Sequence, residues 1–349
     1  MAIQKFTVSS DKSIYEAFPD VVLTNGGKLI TVFEECTHHS DRSFARIVKS
    51  ESTDRGRTWS DKVKVTDNIE DEKHIFWNCA RISKLSDGRL VILADKAVKK
   101  NEGGAEVYYW IGDAEGIEWS EPFLAPSDGI VPDQLIETST GRWLVSTHLK
   151  HTNGYLRQSL WYSDDQGKTW SDRIIVAEKE GLNLCEGSIV ELDDNTLVCF
   201  MRENSGLGYD CFKSISTDNG ETWEGPYNVP MPGCHRPVAG ILENGYVMIT
   251  HRFMHGGKGW VGFWTQNFFA GFTDQDSCRA TERNEQSFRI MPLDFDRSPY
   301  SDVGYSGWVQ FDDGEIYVVY YIIDDSPNGQ IRSISFREED VILGGFPVK

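Results

Sequence analysis

Residues 163–170 read SDDQGKTW, and the frame S-x-D-x-G-x-T-W recurs at 52–59 as STDRGRTW and at 216–223 as STDNGETW. A worn copy keeps Asp113, Gly116 and Trp119 in GDAEGIEWS. The residue types describe a tight turn between two strands. Ser and Asp side chains bond nearby backbone amides, Gly supplies a positive φ, and Trp plugs the turn into the core. This is turn chemistry and carries no catalysis.

Working outward from the octets, a longer repeat runs through the whole chain: an apolar strand, a polar turn, then a second apolar strand. The copies are VVLTNGGKLITVF (21–33), RISKLSDGRLVILA (81–94), QLIETSTGRWLVST (134–147), SIVELDDNTLVCF (188–200), AGILENGYVMIT (239–250) and SGWVQFDDGEIYVVY (306–320). Their turn residues Gly27, Gly88, Gly141, Asn195, Gly245 and Gly314 are 61, 53, 54, 50 and 69 residues apart. Each interval accommodates about four short strands. Six four-stranded units predict an all-β, six-bladed β-propeller, with Ile3 to Val8 closing the ring beside Ile331 to Phe336. No low-complexity linker interrupts the series, so residues 1–349 read as a single propeller domain. A pair of β-sandwiches is the structural alternative.

Composition bounds the partners. The chain has 349 residues, 35 Lys plus Arg against 54 Asp plus Glu, and a formal charge of −19. With no long basic run, nucleic acid is excluded as a partner, because phosphate binding needs clustered cations, and anionic membrane surfaces are disfavoured. No apolar window approaches a membrane span. The first residues lack a signal-peptide core, so the sequence as written reads as cytoplasmic, with secretion or a periplasmic home open to a longer gene product. Seven cysteines without a C-x-x-C pair predict neither disulfides nor a zinc site. The acidic runs Glu70 to Glu72 and Glu338 to Asp340 read as solvated loops, and no metal or cofactor is expected. Oligomeric state is left open.

In such blades, the residues just before the first strand and just after the second ring one central pocket. Nine residues before each turn stand Phe18, Cys79, Pro132, Glu186, Arg236 and Tyr305, and seven after it stand Glu34, Asp95, His148, Arg202, Arg252 and Tyr321. The second set is almost wholly polar. His38, His39, His148, His151, His251 and His255 follow second strands, and His235 precedes a first strand, while His74 lies elsewhere. Convergent polar groups in a concave site predict a ligand pocket there.

The octets and the six-fold pattern resemble the sialidase superfamily, whose Asp-box repeats have the form S-x-D-x-G-x-T-W on six-bladed propellers. The resemblance covers nearly the full chain, and it is more specific for fold than for reaction, because the superfamily also holds other exo-glycosidases, lyases and non-catalytic sugar binders. In CEGSIVELDDNTLVCFMRE, Glu186 and Arg202 keep the family spacing of a Glu opening blade four and an Arg closing its second strand. Tyr305, in GYSGWVQFDDGE, matches the nucleophilic Tyr entering blade six, with Tyr300 in SPYSDV as a competing Y-S pair. Arg252 in ITHRFMH matches a further clamp Arg, with Arg236 in CHRPV as a substitute, and Asp41 falls in the loop that carries the acid/base Asp. The first family Arg belongs to Y-R-I-P, whereas this chain reads Glu16-Ala17-Phe18-Pro19-Asp20, so that Ala17 replaces it. Glu16 and Asp20 approach the same region, which disfavours an anionic sugar there.

The resemblance implies an exo-acting glycoside hydrolase of sialidase-like fold, acting on a carbohydrate whose terminal sugar is not ordinarily sialic acid. Tyr305 is then the nucleophile, Glu186 its base and Asp41 the acid/base, with Arg202 and Arg252 as the substrate clamp. Arg236, His148, His235, His251, Asp20, Glu34, Asp95 and Tyr321 complete the expected binding surface. Should Tyr305 lie away from the pocket, Asp20 or Glu34 paired with Glu186 is the substitute. Two alternatives stand: a polysaccharide lyase on a uronic acid, with His148 or His251 as base, and a non-catalytic carbohydrate-binding propeller.

Overall fold

A computed structural model describes residues 3–70, 75–97, 104–255 and 265–341. Apolar residues flanking a polar turn fold each repeat into an antiparallel pair, and the turns close alike. Leu85 N–H donates to Arg89 O at 2.8 Å, Leu192 to Thr196 at 2.8 Å, Leu242 to Tyr246 at 2.8 Å and Phe311 to Glu315 at 2.8 Å. Six antiparallel sheets result.

Blade one holds Tyr15–Leu23, Leu29–His38, Asp41–Ser52 and Val63–Lys64, with Ile69–Glu70 also on its third strand; blade two holds Phe76–Lys84, Leu90–Ala97, Ala105–Gly112 and Phe123–Leu124. Blade three is Ile136–Glu137, Trp143–Lys150, Leu156–Ser163 and Ile174–Ala177, and blade four Leu184–Glu191, Leu197–Glu203, Asp210–Ser216 and Glu224–Pro232. Blade five is Cys234–Ile241, Val247–His255, Thr265–Thr273 and Phe288–Phe295. Blade six takes Val303–Gln310, Ile316–Ile322 and Gln330–Phe336 from the end of the chain and Gln4–Ser9 from its start. Gln4 lies opposite Ser335, so the N-terminal strand covers the edge that blade six would otherwise expose.

The apolar core is a set of six seams between neighbouring blades. Val32 and Ile47 of blade one pack with Ile82 and Ile92 of blade two, Val91 and Leu93 with Trp143 and Val145, and Leu144 and Leu160 with Ile189 and Cys199. Phe200 meets Ile249, Met248 and Phe268 meet Val318, and Phe33 meets Tyr317 and Val319, which completes the circuit. Each fully buried side chain of this size contributes about 1.5–3 kcal/mol.

The octets brace these seams. Ser52 Oγ accepts from Gly56 N–H at 2.8 Å, and Asp54 accepts from the Thr58 amide at 2.9 Å and the Thr58 hydroxyl at 2.6 Å. The same bonds recur at Ser163 and Asp165 and at Ser216 and Asp218. Gly56 has φ +79°, and a Cβ there would lie 2.1 Å from Tyr317 of blade six, so only glycine admits this contact. Trp59, Trp170 and Trp223 are half-buried at the margins of the seams.

The seven cysteines are all buried and unbridged. Among the described residues no helix is long and apolar enough to cross a membrane. Glu338–Val341 forms a short helical turn rather than the expected loop, while Glu72 and His74 lie outside the described residues. Phe268 and Phe269 belong to the third strand of blade five; Trp260, Phe263 and Trp264 also lie outside the described residues.

Candidate active site

Near the axis, the entry into each inner strand carries one non-glycine residue in the left-handed region: Phe18 (φ 55°), Cys79 (40°), Val131 (52°), Glu186 (51°), Arg236 (50°) and Tyr305 (33°). In five blades a register break marks the same place, between Ala17 and Asp20, Asn78 and Arg81, Cys185 and Ser188, His235 and Val238, and Gly304 and Ser306. A bulge inserts one residue and re-aims its side chain. Six strained residues around one axis are a feature that functional sites keep and ordinary strands do not. Blade three departs from the expected Pro132 by one position. Proline is locked near φ −65° and cannot take this conformation, so Val131 takes it instead.

The residues seven past each turn face this ring in register. Glu34 pairs with Ala17, Asp95 with Asn78, Arg202 with Cys185, Arg252 with His235, Tyr321 with Gly304 and, as an isolated bridge, His148 with Ile130. The two expected sets therefore form adjoining layers. Only part of the second layer reaches the open space.

That space is a cavity of about 570 Å³, lined by Phe18, His39, Arg42, Asn78, His148, Glu186, Asn204 and Tyr305 among others. On its floor Tyr305 Oη donates to Glu186 Oε1 at 2.5 Å, and Arg202 Nη1 donates to the same oxygen at 2.8 Å. Arg202 Nη2 is fixed by Asn204 Oδ1 at 2.7 Å. Burial opposes ionisation of Glu186, but the Arg202 charge and the Tyr305 hydrogen bond outweigh it and hold the carboxyl well below its ordinary range. Burial, and next the Glu186 charge, push the Tyr305 phenol well above 10. The guanidinium groups of Arg236 and Arg252 lie 5.4 and 5.5 Å from the centre of the Tyr305 ring. A phenol hydrogen-bonded to a carboxylate between flanking cations is an arrangement that can deliver an oxygen nucleophile as its proton transfers.

Behind the ring, Arg252 Nη2 donates to Tyr321 Oη at 2.6 Å, and Tyr321 donates to Asp302 Oδ1 at 2.7 Å. Arg252 also reaches Asp302 at 3.4 Å and the Val303 carbonyl. Arg236 donates to the Pro132 carbonyl at 2.9 Å and the Gly187 carbonyl at 3.5 Å. Arg42 pairs with Glu34 at 3.3 Å while its guanidinium lies 5.2 Å from the Phe18 ring centre.

The remaining expected residues divide by burial. Asp20 accepts from Val21 N–H at 2.9 Å, from Ile82 N–H at 2.9 Å and from Gln134 at 2.8 Å, and pairs with Arg81 at 3.3 Å. It stitches blade one to blade two and does not face the cavity. Glu16 points to Ser9 and Lys62, at 2.6 and 2.7 Å. The approach of both carboxylates to the pocket is therefore corrected: the bulge turns Phe18 inward, and its ring stands 4.8 Å from that of Tyr305. Glu34 and Asp95 are fully buried. Asp95 receives Asn78 Nδ2 at 3.1 Å, and burial, reinforced by Glu34, pushes its carboxyl up to about 7. His148 reaches the cavity, whereas His251 is fully buried, its Nδ1 bonded to the Arg252 carbonyl at 3.0 Å. His235 is buried beside Arg202 and Arg252. Asp41 accepts from Ser43 N–H at 3.0 Å in the hairpin turn, whose residues His39 and Ser40 line the cavity. Tyr300 is 87% exposed and is no rival to Tyr305.

Sequence reasoning missed Arg42 and the contact of His39 with Asp302. Only the count of histidines after second strands pointed toward the last. Among the described residues no group of three or more His, Cys, Asp or Glu is placed to hold a metal ion.

The family model described as BNR repeat-like domain matches residues 27–318. A sialidase of Clostridium perfringens is 22% identical over 255 residues, covering 68% of this chain and 56% of its own, and one of Paraclostridium sordellii is 25% identical, covering 50% and 52%. The chain thus spans about half the length of these curated relatives. A protein of unknown function from Dyadobacter fermentans superposes with a TM-score of 0.77 at 19% identity, over 96% of this chain and 98% of that one. Trypanosoma rangeli sialidase in complex with sialic acid superposes with a TM-score of 0.68 at 16% identity, over 96% and 59%.

Proposed function

The chain belongs to the family of BNR repeat-like domains on a sialidase-like propeller, and from that premise we propose that it is an exo-acting glycoside hydrolase removing a terminal sugar other than sialic acid. The carrying observation is the Tyr305 to Glu186 hydrogen bond, 2.5 Å, on the floor of a cavity closed by the propeller axis. Tyr305 Oη attacks the anomeric carbon as its proton passes to Glu186. Because the phenol is held high and the carboxylate low, that transfer is uphill unless the new C–O bond forms with it, so the two events are concerted. Arg236 and Arg252 stabilise the charge that develops on the phenol oxygen.

The sugar class follows from what the arginines already hold. Arg42 pairs with Glu34, Arg202 with Glu186 and Arg252 with Asp302, and Arg236 is bonded to carbonyls. Phe18 presents an apolar ring beside Tyr305, next to the position where Ala17 replaces the first clamp arginine. A substrate carboxylate would have to break one of these pairs, and a neutral sugar would not. His148, lowered by burial to about 4, is neutral at pH 7. Its Nδ1 accepts the Glu186 amide at 3.2 Å, so Nε2 carries the proton and the ring offers a substrate hydroxyl a donor. That tautomer and the burial of His251 speak against either as the base of a lyase.

The test is product analysis by mass spectrometry on a panel of oligosaccharides ending in neutral sugars, uronates and sialic acid. The expected result is a neutral monosaccharide whose release adds one water and is lost in Glu186→Gln. An unsaturated product without added water would replace this reading with the lyase, and saturable binding with no product across the panel would replace it with a carbohydrate-binding propeller.

A further inference from the structure

Asp302, at the entrance to blade six, gathers four donors around one buried carboxylate. Tyr15 Oη donates to Oδ2 at 2.5 Å, Tyr321 Oη to Oδ1 at 2.7 Å and Arg252 Nη2 to Oδ1 at 3.4 Å, while His39 Nδ1 bonds Oδ2. Burial opposes its ionisation, yet the His39 bond and the Arg252 charge hold Asp302 well below the ordinary carboxylate range. The carboxylate is a fixed anion with one partner that looks outward. That partner, His39, is one of two residues in the hairpin turn joining the second and third strands of blade one. Its side chain is 41% exposed and lines the same cavity as Glu186 and Tyr305. The imidazole packs edge-on against Phe18, with centroids 5.2 Å apart, and Tyr305 packs on that ring too, at 4.8 Å. With Nδ1 taken by Asp302, Nε2 is the nitrogen left to exchange a proton with a ligand.

We propose that His39, oriented by Asp302, is the general acid and base of the hydrolysis, in place of Asp41. The proposal rests on the reading of Tyr305 as nucleophile. In the first half-reaction protonated His39 gives its Nε2 proton to the glycosidic oxygen as the C–O bond breaks, while Tyr305 bonds the anomeric carbon and its proton goes to Glu186. In the second half-reaction, neutral His39 takes a proton from the attacking water, the sugar–Tyr305 bond breaks, and Glu186 returns the proton to the phenol. The sum is one water added across one glycosidic bond. Asp302 is a positioning residue in this scheme: it fixes the ring through Nδ1.

The test compares two glycosides of the sugar that the product analysis identifies: a 2,4-dinitrophenyl glycoside, whose leaving group needs no proton, and a methyl glycoside, whose leaving group does. In His39→Ala, kcat/KM on the methyl glycoside is expected to fall by about 10²-fold or more, while on the dinitrophenyl glycoside it stays within a few-fold. Added azide is expected to restore kcat on the latter with formation of a glycosyl azide. Equal loss on both substrates, or loss on neither, overturns the assignment, as does the same split appearing in Asp41→Asn instead. Tyr305→Phe on the same pair separates the two readings: full turnover there overturns the nucleophile, whatever His39 does.

Discussion

The phenol of Tyr305 and the carboxylate of Glu186 share a proton that their surroundings drive toward the phenol, because burial penalises phenolate and Arg202 stabilises carboxylate. In the proposed mechanism Tyr305→Phe removes the nucleophilic oxygen and Glu186→Gln the base, so each is expected to lower kcat/KM by at least about 10²–10⁴-fold in steady-state assays. The thermal midpoint of Tyr305→Phe should fall only slightly, since one hydrogen bond is worth about 1 kcal/mol. The buried histidines report on the same site through stability. Burial lowers His251 from 6.5 to about 4 in the folded protein. As pH falls through that window the unfolded chain takes a proton that the native one refuses, so this contribution to stability is present above 6.5 and lost toward 4. Urea unfolding at several pH values should show the slope of stability against pH flatten in His251→Gln, by up to about 1.4 kcal/mol per pH unit. An unchanged slope would place His251 outside this linkage.

At the level of elements, turns and strands were legible because their chemistry is local. The Ser, Asp, Gly and Thr of each octet bond one another within seven residues, and the fixed offsets from the turn residues located both layers of the site. The offset failed at Pro132, where a ring-locked φ moves the left-handed position to Val131. It also gave no direction for side chains: Asp20 points into a seam and Phe18 into the pocket, since a bulge reverses the simple alternation of a strand. The His39 to Asp302 contact joins residues 263 apart in sequence and leaves no local signature. For the octets the account makes a stability prediction. Gly56→Ala places a Cβ against Tyr317 at φ +79° and should cost at least about 2 kcal/mol in chemical denaturation. A neutral result would mean that the octet does not brace blade one against blade six.

Across the whole molecule, the six seams form a closed circuit, and the N-terminal strand Gln4–Ser9 completes the sheet of blade six against Gln330–Phe336. Deleting residues 1–10 would bare a long edge strand and remove Val8 from the seam with blade one. Lower thermal midpoints and self-association, read by light scattering, are the expected outcome. The circuit also explains why the site lies at the axis: every blade contributes one residue in the left-handed region, and ring closure brings Glu186 of blade four against Tyr305 of blade six. The claim that this contact is catalytic is tested most directly by rapid acid quench during turnover of the dinitrophenyl glycoside, followed by peptide mass spectrometry. The account predicts one glycosyl group on the peptide containing Tyr305, absent in Tyr305→Phe. Turnover with no protein-bound sugar at any quench time, or with the sugar on another residue, would contradict it.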